Sequence, residues 1–342
     1  MKIVCICDAG APEMLMQLMH KLPGCEIKLY VNPEMMDIKQ LTAVERAAEQ
    51  GGSEVYKASD ELLAALAGAD AIVTHCTPVN QAMLDAAPDL KYLGCMRTGI
   101  EHINLDVCRE RGITVFNANG RNAVAVADQT VAMMLCEMRN IARGHAALMS
   151  GKWVKMFPNM MYSHDMKNCT VGIIGVGRIG SMVAERLRGF GCRILGCDLN
   201  LSEEEILKRG CDEAVSKEEL LKRSDFVTMH MFYKEGDPAL IGAEELGMMK
   251  ETAVLVNCAR AGLVDTDELI AALKENRIGG AALDVFDQEP LPEDHPLLSL
   301  QNVTLTPHSA GSSIDAFTNS AIIMLEQFGQ ILSGSEPSNK VS

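Results

Sequence analysis

Residues 169–198 constrain the fold more than any other part of the chain. An apolar run at 171–174 predicts a buried strand, and the turn GVGRIG follows it at 175–180. A helical pattern comes next, and a second apolar run at 193–197 ends in Asp198. This order of strand, glycine turn, helix, strand and acidic residue predicts a dinucleotide-binding unit. A merely structural tight turn is the alternative interpretation.

Each glycine of this turn, and the acidic residue that ends the second strand, has a physical reason to be there. Gly175 permits the tight turn, Gly177 allows the backbone to approach a pyrophosphate, and Gly180 allows helix and strand to pack closely. The helix N-terminus offers unpaired N–H groups to phosphate. Asp198 can accept both ribose hydroxyls of an adenosine and would repel a 2′-phosphate, which favours NAD over NADP.

Composition narrows the possible partners. The net charge is −15 and no block of Lys or Arg occurs, which argues against nucleic-acid and membrane partners. The twelve cysteines contain no CxxC pair and no spacing typical of a zinc site. We therefore expect that the protein binds no metal. We also expect that its thiols are reduced and buried and that the protein is cytoplasmic. No apolar segment approaches the roughly 18 residues of a membrane span.

Alternating strand and helix patterns predict an α/β protein with two domains. The first pattern begins with a strand at 2–7 and has no phosphate-binding turn, and the second contains the glycine turn. We predict an NAD-binding domain at 117–310 inserted into a substrate (catalytic) domain formed by 1–116 and 311–342. One long helix is expected over about 122–147, whose apolar stripe either packs on its own domain or contacts another subunit. The polar tail at 334–342 is expected to be frayed.

Three side chains suited to acid–base or anion chemistry follow predicted strand ends in the second half of the chain. Arg260 follows the apolar run at 253–258, where a guanidinium can grip a carboxylate with two parallel hydrogen bonds. His308 follows the last strand and can donate a proton to an alkoxide near neutral pH. Glu289 could bond to that imidazole, orient it and keep it protonated. Asp284 ends another strand and could accept a hydrogen bond from a nicotinamide carboxamide.

A glycine turn in the first half is a candidate substrate loop. The backbone N–H groups around Thr98 and Gly99 could form an anion-binding nest, although an ordinary turn between strand and helix is the alternative. Arg97 either adds a second cation for a polar or anionic substrate tail, such as that of a sugar acid or phosphate-bearing acid, or points to solvent. His75 and His102 lie near the expected cleft and remain without an assigned role.

With these residues assembled, the chain resembles the D-isomer-specific 2-hydroxyacid dehydrogenases, in particular their phosphoglycerate dehydrogenase-like branch. The resemblance rests on the stretches NGRNAVAVADQTVAMML, VGIIGVGRIG, VNCARAGLVDTDELIAAL, GGAALDVFDQEPLPEDHPLL and NVTLTPHSAG. It implies a Rossmann NAD-binding domain inserted into a flavodoxin-like substrate domain, NAD as the cofactor, and a homodimer formed through the NAD-binding domain.

The resemblance also implies roles for individual residues. Arg260 would bind the carboxylate and keto oxygen of the substrate, and His308, supported by Glu289, would be the proton donor. The implied substrate-binding residues are Arg97, Thr98, Gly99, Arg260 and His308. The implied cofactor-binding residues are Gly175, Gly177, Arg178, Ile179, Gly180, Asp198, Met231, Cys258, Ala259, Arg260, Asp284 and His308, with Arg178 and Ile179 at the pyrophosphate and Cys258 lining the nicotinamide site.

The expected activity is hydride transfer between NAD(H) and C2 of a D-2-hydroxy acid or 2-oxo acid. One alternative is a D-3-phosphoglycerate or sugar-acid dehydrogenase that uses the same site. An alternative of another class is a protein that senses NAD(H), such as a corepressor, without turnover.

Overall fold

A computed structural model describes residues 1–161, 163–234 and 236–342. The chain divides into two compact units, the first formed by residues 1–122 and 313–342 and the second by residues 123–312. The first boundary lies beyond the expected position after residue 116, because residues 117 and 118 bond within the first unit. The Asn117 N–H donates to the Asn339 carbonyl, and the Ala118 N–H donates to the Arg97 carbonyl.

The first unit contains a five-stranded parallel sheet in the order β2-β1-β3-β4-β5. Its strands are β1 (Lys2–Cys7), β2 (Glu26–Val31), β3 (Ala71–Thr74), β4 (Tyr92–Cys95) and β5 (Thr114–Asn117), and its helices before the second unit are α1 (Glu13–Met16), α2 (Ile38–Gly51), α3 (Asp60–Leu66), α4 (Gln81–Ala86) and α5 (Leu105–Glu110). The central strands are fully buried apolar runs, as expected for a parallel sheet covered on both faces.

The second unit contains a seven-stranded parallel sheet in the order β12-β11-β10-β9-β6-β7-β8. Its strands are β6 (Thr170–Ile174), β7 (Arg193–Cys197), β8 (Glu213–Ala214), β9 (Phe226–Met229), β10 (Val254–Asn257), β11 (Gly280–Leu283) and β12 (Val303–Leu305). Its helices are α6 (Ala123–Arg139), α7 (Ile141–Met149), α8 (Arg178–Arg188), α9 (Glu203–Lys208), α10 (Lys217–Arg223), α11 (Ala243–Met248) and α12 (Thr266–Lys274). The strand order reverses at β6, which creates a crevice at the carboxyl ends of β6 and β9. The predicted α/β fold with a Rossmann-type sheet is confirmed.

The long helix predicted over 122–147 is two helices. Asn140 separates α6 from α7 with a left-handed φ of 54°, a conformation that asparagine tolerates better than most residues. Its side-chain amide donates to Asn159 Oδ1 at 2.6 Å, and its own Oδ1 accepts from Arg143 Nη1 at 2.9 Å. As a result α7 leaves the line of α6, and Ile141 at its start lies exposed.

The C-terminal segment completes the first unit. Helix α13 spans Ile314–Leu332 and packs Phe328 edge-on against Phe116 of β5, with the ring centroids 5.1 Å apart. The expectation of a frayed tail is wrong. The Val341 N–H donates to the Val115 carbonyl at 2.8 Å, because β5 is an edge strand with backbone groups available for pairing. Within the described residues, no helix combines the length and apolar character needed to cross a bilayer.

Candidate active site

The glycine turn after β6 is shaped by close backbone packing. Gly175 has a φ of +88°, and a Cβ atom there would lie 2.6 Å from the His230 carbonyl oxygen. A Cβ atom at Gly180 would lie 2.1 Å from the Gly175 carbonyl oxygen. Any other residue at either position would therefore force the turn and α8 apart.

Gly177 is different, because a Cβ atom there would meet nothing within 4 Å. It is the N-cap of α8 and supplies no side-chain bond to the first turn of the helix, which begins with Arg178 and Ile179. The open space beside Gly177 and the N–H groups at the start of α8 fit the pyrophosphate of a dinucleotide.

Asp198 follows β7 and lies against the same turn. Its Oδ2 accepts the Val176 N–H at 2.9 Å, and its Oδ1 accepts the Asn200 N–H at 2.9 Å. The carboxylate is thus held beside the glycine turn, which is where the ribose hydroxyls of an adenosine would need an acceptor.

Glu289 holds the imidazole of His308. The Nδ1 atom of His308 lies 2.6 Å from Glu289 Oε2, and the other carboxylate oxygen accepts the Phe286 N–H at 3.0 Å. With Nδ1 committed to Glu289, the Nε2 atom is the nitrogen available for proton exchange. The His308 side chain is 53% exposed, so a substrate can reach it.

Asp284 organises the loop that contains His308. The side chain is fully buried, and its Oδ1 accepts bonds from the Thr306 hydroxyl at 2.6 Å and the Ser309 N–H at 2.9 Å. Its Oδ2 accepts the Ala310 N–H at 2.8 Å. The predicted bond from a nicotinamide amide remains a prediction, and the amide would have to share an oxygen that already accepts within the chain.

Arg260 shares one open cleft of the second unit with the histidine and its carboxylate partner. The cleft is lined by Tyr233, Arg260, Ala261, Gly262, Val285, Phe286, Asp287, Glu289 and His308. Asn257 at the end of β10 fixes the backbone before this arginine, because its amide donates to the Arg260 carbonyl at 2.8 Å and its oxygen accepts the Ala259 N–H at 3.0 Å. The Arg260 side chain is exposed to the cleft, and its Nη1 donates to the Ala259 carbonyl.

Sequence reasoning missed two contributors to this cleft. Tyr233 packs on Gly262, where a Cβ atom would lie 2.3 Å from the tyrosine ring, and its hydroxyl donates to the Asp237 carbonyl. The residue pattern around Tyr233 gave no signal of this contact. Asn257 could have been identified from the sequence, because it is a polar residue that ends an otherwise apolar strand three residues before Arg260.

Two other predicted cofactor residues lie at strand ends of the same sheet. Met231 follows β9, and its Cγ atom would be 2.8 Å from a Cβ atom on Gly175. Cys258 follows β10 and is buried, with its sulfur 3.5 Å from that of Met133. Burial raises the pKa of Cys258 to about 12, so the thiol stays neutral at physiological pH.

The predicted substrate loop lies in the first unit. Arg97 does not point to solvent, because its side chain is 15% exposed and its guanidinium lies 2.8 Å from the Glu45 carboxylate. The Thr98 carbonyl accepts a bond from the Asn117 amide at 2.7 Å. A Cβ atom on Gly99 would meet the Glu101 carboxylate at 2.6 Å. An anionic substrate tail at Arg97 would therefore have to compete with Glu45.

Comparison with known proteins identifies relatives over most of the chain. The family described as "D-isomer specific 2-hydroxyacid dehydrogenase, NAD binding domain" matches residues 131–310. The D-3-phosphoglycerate dehydrogenase of Methanocaldococcus jannaschii is 37% identical over 285 residues, which are 83% of this chain and 53% of that protein. The glyoxylate reductase of Korarchaeum cryptofilum is 38% identical over 275 residues, which are 80% of this chain and 82% of that protein. The chain thus spans about half the length of the first relative and most of the second.

Two solved structures have a fold similar to that of the whole chain. The D-lactate dehydrogenase with NAD+ from Lactobacillus jensenii is 25% identical, with a TM-score of 0.78 and full coverage of both chains. The TT0316 protein from Thermus thermophilus is 30% identical, with a TM-score of 0.71 and full coverage of both chains.

Proposed function

The chain belongs to the D-isomer-specific 2-hydroxyacid dehydrogenase family, and from that membership we propose that it interconverts a D-2-hydroxy acid and the corresponding 2-oxo acid. The observation that supports this activity most directly is the 2.6 Å pair of His308 and Glu289 in a cleft that Arg260 also lines. NAD(H), when bound, supplies or accepts the hydride at C2 of the acid.

His308 is the proposed acid–base residue. Its Nε2 gives a proton to the oxygen at C2 during reduction and takes it back during oxidation. Glu289 orients the ring through Nδ1 and stabilises the imidazolium by charge. Because the second oxygen of Glu289 is fixed by the Phe286 N–H, the carboxylate can support the ring without moving.

Arg260 is the proposed anchor for the substrate. A guanidinium can bind the carboxylate through two parallel hydrogen bonds and can also stabilise negative charge that develops on the oxygen at C2. The backbone N–H groups at Thr98 and Gly99 are proposed substrate-binding groups of the first unit. Gly175, Gly177, Gly180 and Asp198 are proposed to hold the cofactor, as their packing and open space support.

Steady-state oxidation of NADH with a panel of 2-oxo acids tests the activity. Glyoxylate and hydroxypyruvate cover the small 2-oxo acids, and 3-phosphoglycerate and aldonic acids, assayed with NAD+, test the alternative substrates. We expect turnover with at least one acid and a preference for NADH over NADPH. A protein that binds NADH but turns over none of these acids would instead be a sensor of the cofactor. A clear preference for NADPH would contradict the proposed role of Asp198.

A homodimer formed through the second unit is the proposed assembly. Apolar side chains stand exposed on α7 and the segment that follows it, namely Ile141, Leu148, Met149, Trp153, Val154 and Met156. An apolar surface of this extent is typical of a protein–protein interface. A second copy of the chain would cover it.

A reducing compartment, the cytoplasm, is the proposed location. All twelve cysteines are unpaired, and nine of them are buried. Burial raises the pKa of several of these thiols, including Cys108 to about 11, which keeps them unreactive. A chain with this many unpaired cysteines suits a compartment that keeps thiols reduced.

A further inference from the structure

A cluster of buried polar groups lies at the carboxyl ends of β1 and β3 in the first unit, and its centre is Asp8. Oδ1 accepts the Gly10 and Ala11 N–H groups, and Oδ2 accepts the Cys76 and Thr77 N–H groups. Burial alone would raise the pKa of Asp8, but the hydrogen bond and charge of His75 and these backbone bonds lower it overall. Asp8 is therefore a fixed negative charge.

His75 is held by this carboxylate and leaves one nitrogen without a partner. Its Nδ1 lies 3.3 Å from Asp8 Oδ1, and a Cβ atom on Gly10 would lie 2.3 Å from the ring, so the imidazole cannot shift toward that backbone. The residue is 4% exposed, and its Nε2 has no hydrogen-bond partner among the residues that the structure describes. The imidazolium form would donate from Nδ1 to Asp8 and from Nε2 to a bound acceptor.

Arg121 supplies a second group of the same kind. Its Nη1 is buried and has no hydrogen-bond partner within the described part of the chain. Its guanidinium lies 5.8 Å from the centre of the Phe317 ring of α13, and the His75 ring lies 5.9 Å from the same ring. Burial and the nearby charge of Arg97 lower the pKa of Arg121, yet an arginine remains protonated.

We propose that His75 and Arg121 bind the acidic group of a small anion, a phosphate or a carboxylate, beside Phe317. His75 Nε2 and Arg121 Nη1 are buried and have no hydrogen-bond partner among the described residues, and Arg121 carries a permanent positive charge. Arg97 is already balanced by Glu45. A buried polar nitrogen with no hydrogen-bond partner is costly unless a ligand satisfies it.

A metal ion is a poorer occupant of the same cluster. Asp8, His75 and Cys76 place ligand atoms within 4.8 Å of one another, which a metal could use. However, each Asp8 oxygen already accepts two backbone N–H groups, and burial raises the pKa of Cys76, which disfavours the thiolate that binds metals.

The anionic group belongs to a separate small anion that binds the first unit on its own. Inorganic phosphate is the probe, because its binding needs no turnover.

Calorimetric titration of inorganic phosphate into the full chain tests binding. Arg121→Gln and His75→Gln should weaken phosphate binding about tenfold or more, since each removes a charge-assisted bond. Arg121→Lys keeps a cation and should lose less. Arg109→Gln is the matched control, because Arg109 is an exposed arginine of the same unit that pairs with Asp106. Circular dichroism melts establish that each variant is folded.

The proposal is overturned if folded Arg121→Gln binds phosphate as tightly as the wild type, or if the wild type binds no phosphate. Turnover of glyoxylate is a separate measurement. Absence of turnover in the wild type would refute the proposed function, and the phosphate titration would still decide this proposal.

Discussion

His308 has a backbone conformation that residues other than glycine rarely adopt. Its φ of 49° lies in the left-handed region, which costs a non-glycine residue roughly 1 kcal/mol. Bonds to Asp284 on both sides of the histidine and the contact with Glu289 hold it there. Backbone strain that is supported by several neighbours is typical of functional sites, and here it aims an imidazole into a cleft.

Replacing His308 by asparagine tests this residue directly. Asparagine tolerates the left-handed conformation, so the loop should keep its shape while the proton donor is lost. We expect kcat to fall at least about 100-fold, as general acid–base catalysis typically contributes that much or more. Fluorescence titration should give nearly unchanged NADH binding. His20→Asn, at an exposed position, is the control, and near-normal turnover in His308→Asn would contradict the assigned role.

At the scale of elements, the strands and helices that follow from a local residue pattern can be predicted from the sequence. Features that depend on hydrogen bonds between distant residues cannot. The strand at 193–197 has the predicted bounds, because the apolar run that marks it lies within the segment itself. The break at Asn140 depends on Asn159, and the ordered tail depends on β5, so neither could be inferred from neighbouring residues.

In the candidate site, too, residues within local motifs can be predicted and contacts between distant residues cannot. Arg260, Glu289 and His308 could be found because each follows a recognisable strand in a recognisable motif. The packing of Tyr233 on Gly262 arises from residues that are distant in sequence and have no motif of their own. The unpartnered nitrogens of His75 and Arg121 are visible only once every other group has been assigned a partner.

The loop from β12 to α13 should depend on Asp284. In the wild type the Ala310 N–H donates to a carboxylate oxygen of Asp284. In Asp284→Asn the NH2 group of the new amide would have to face such an N–H donor. We expect the free energy of unfolding to fall by about 1–3 kcal/mol. Because the loop positions His308, kcat should also fall by more than KM rises. Urea unfolding and steady-state rates measure the two effects. Asp287→Asn, at the exposed edge of the cleft, is the control, and an unchanged kcat would show that the loop orders itself without Asp284.

At the scale of the whole molecule, two buried histidines make stability depend on pH. Burial lowers the pKa of His230 to about 4, and burial together with the charge of Arg97 lowers that of His102 to about 3. Since the unfolded chain binds these protons below its histidine pKa of roughly 6.5 and the folded chain does not, stability is full above that pH and is lost as the pH falls. His230 and His102 lie in different units, so both units are affected.

Each of these histidines should reduce the free energy of unfolding by about 2 kcal/mol between pH 7 and pH 5. Urea unfolding at a series of pH values measures the loss. His102→Gln should be less stable at pH 7 but should show a shallower decline toward pH 5, because the titrating group is gone. A decline as steep as that of the wild type would mean that His102 is not buried in its neutral form.

The exposed apolar surface of α7 and its following segment predicts the assembly of the whole molecule. Trp153 is 78% exposed and Met149 is 76% exposed, so neither side chain is stabilised by packing within its own chain. A negative charge at Trp153 would cost little in a monomer but would be desolvated and unpaired in a dimer interface. Trp153→Asp should therefore shift sedimentation from dimer to monomer with little change in the melting temperature of each unit.

Met14→Asp is the matched control for the dimer, because Met14 is 80% exposed and lies in the first unit. It introduces the same charge at an equally exposed apolar position and should leave sedimentation unchanged. If Met14→Asp dissociates the dimer and Trp153→Asp does not, the interface lies in the first unit and not on α7. A wild-type chain that sediments as a monomer at micromolar concentration would contradict the homodimer. The exposed apolar surface of α7 would then be a binding site for a different protein, because exposed apolar patches of this kind are typical of protein–protein interfaces.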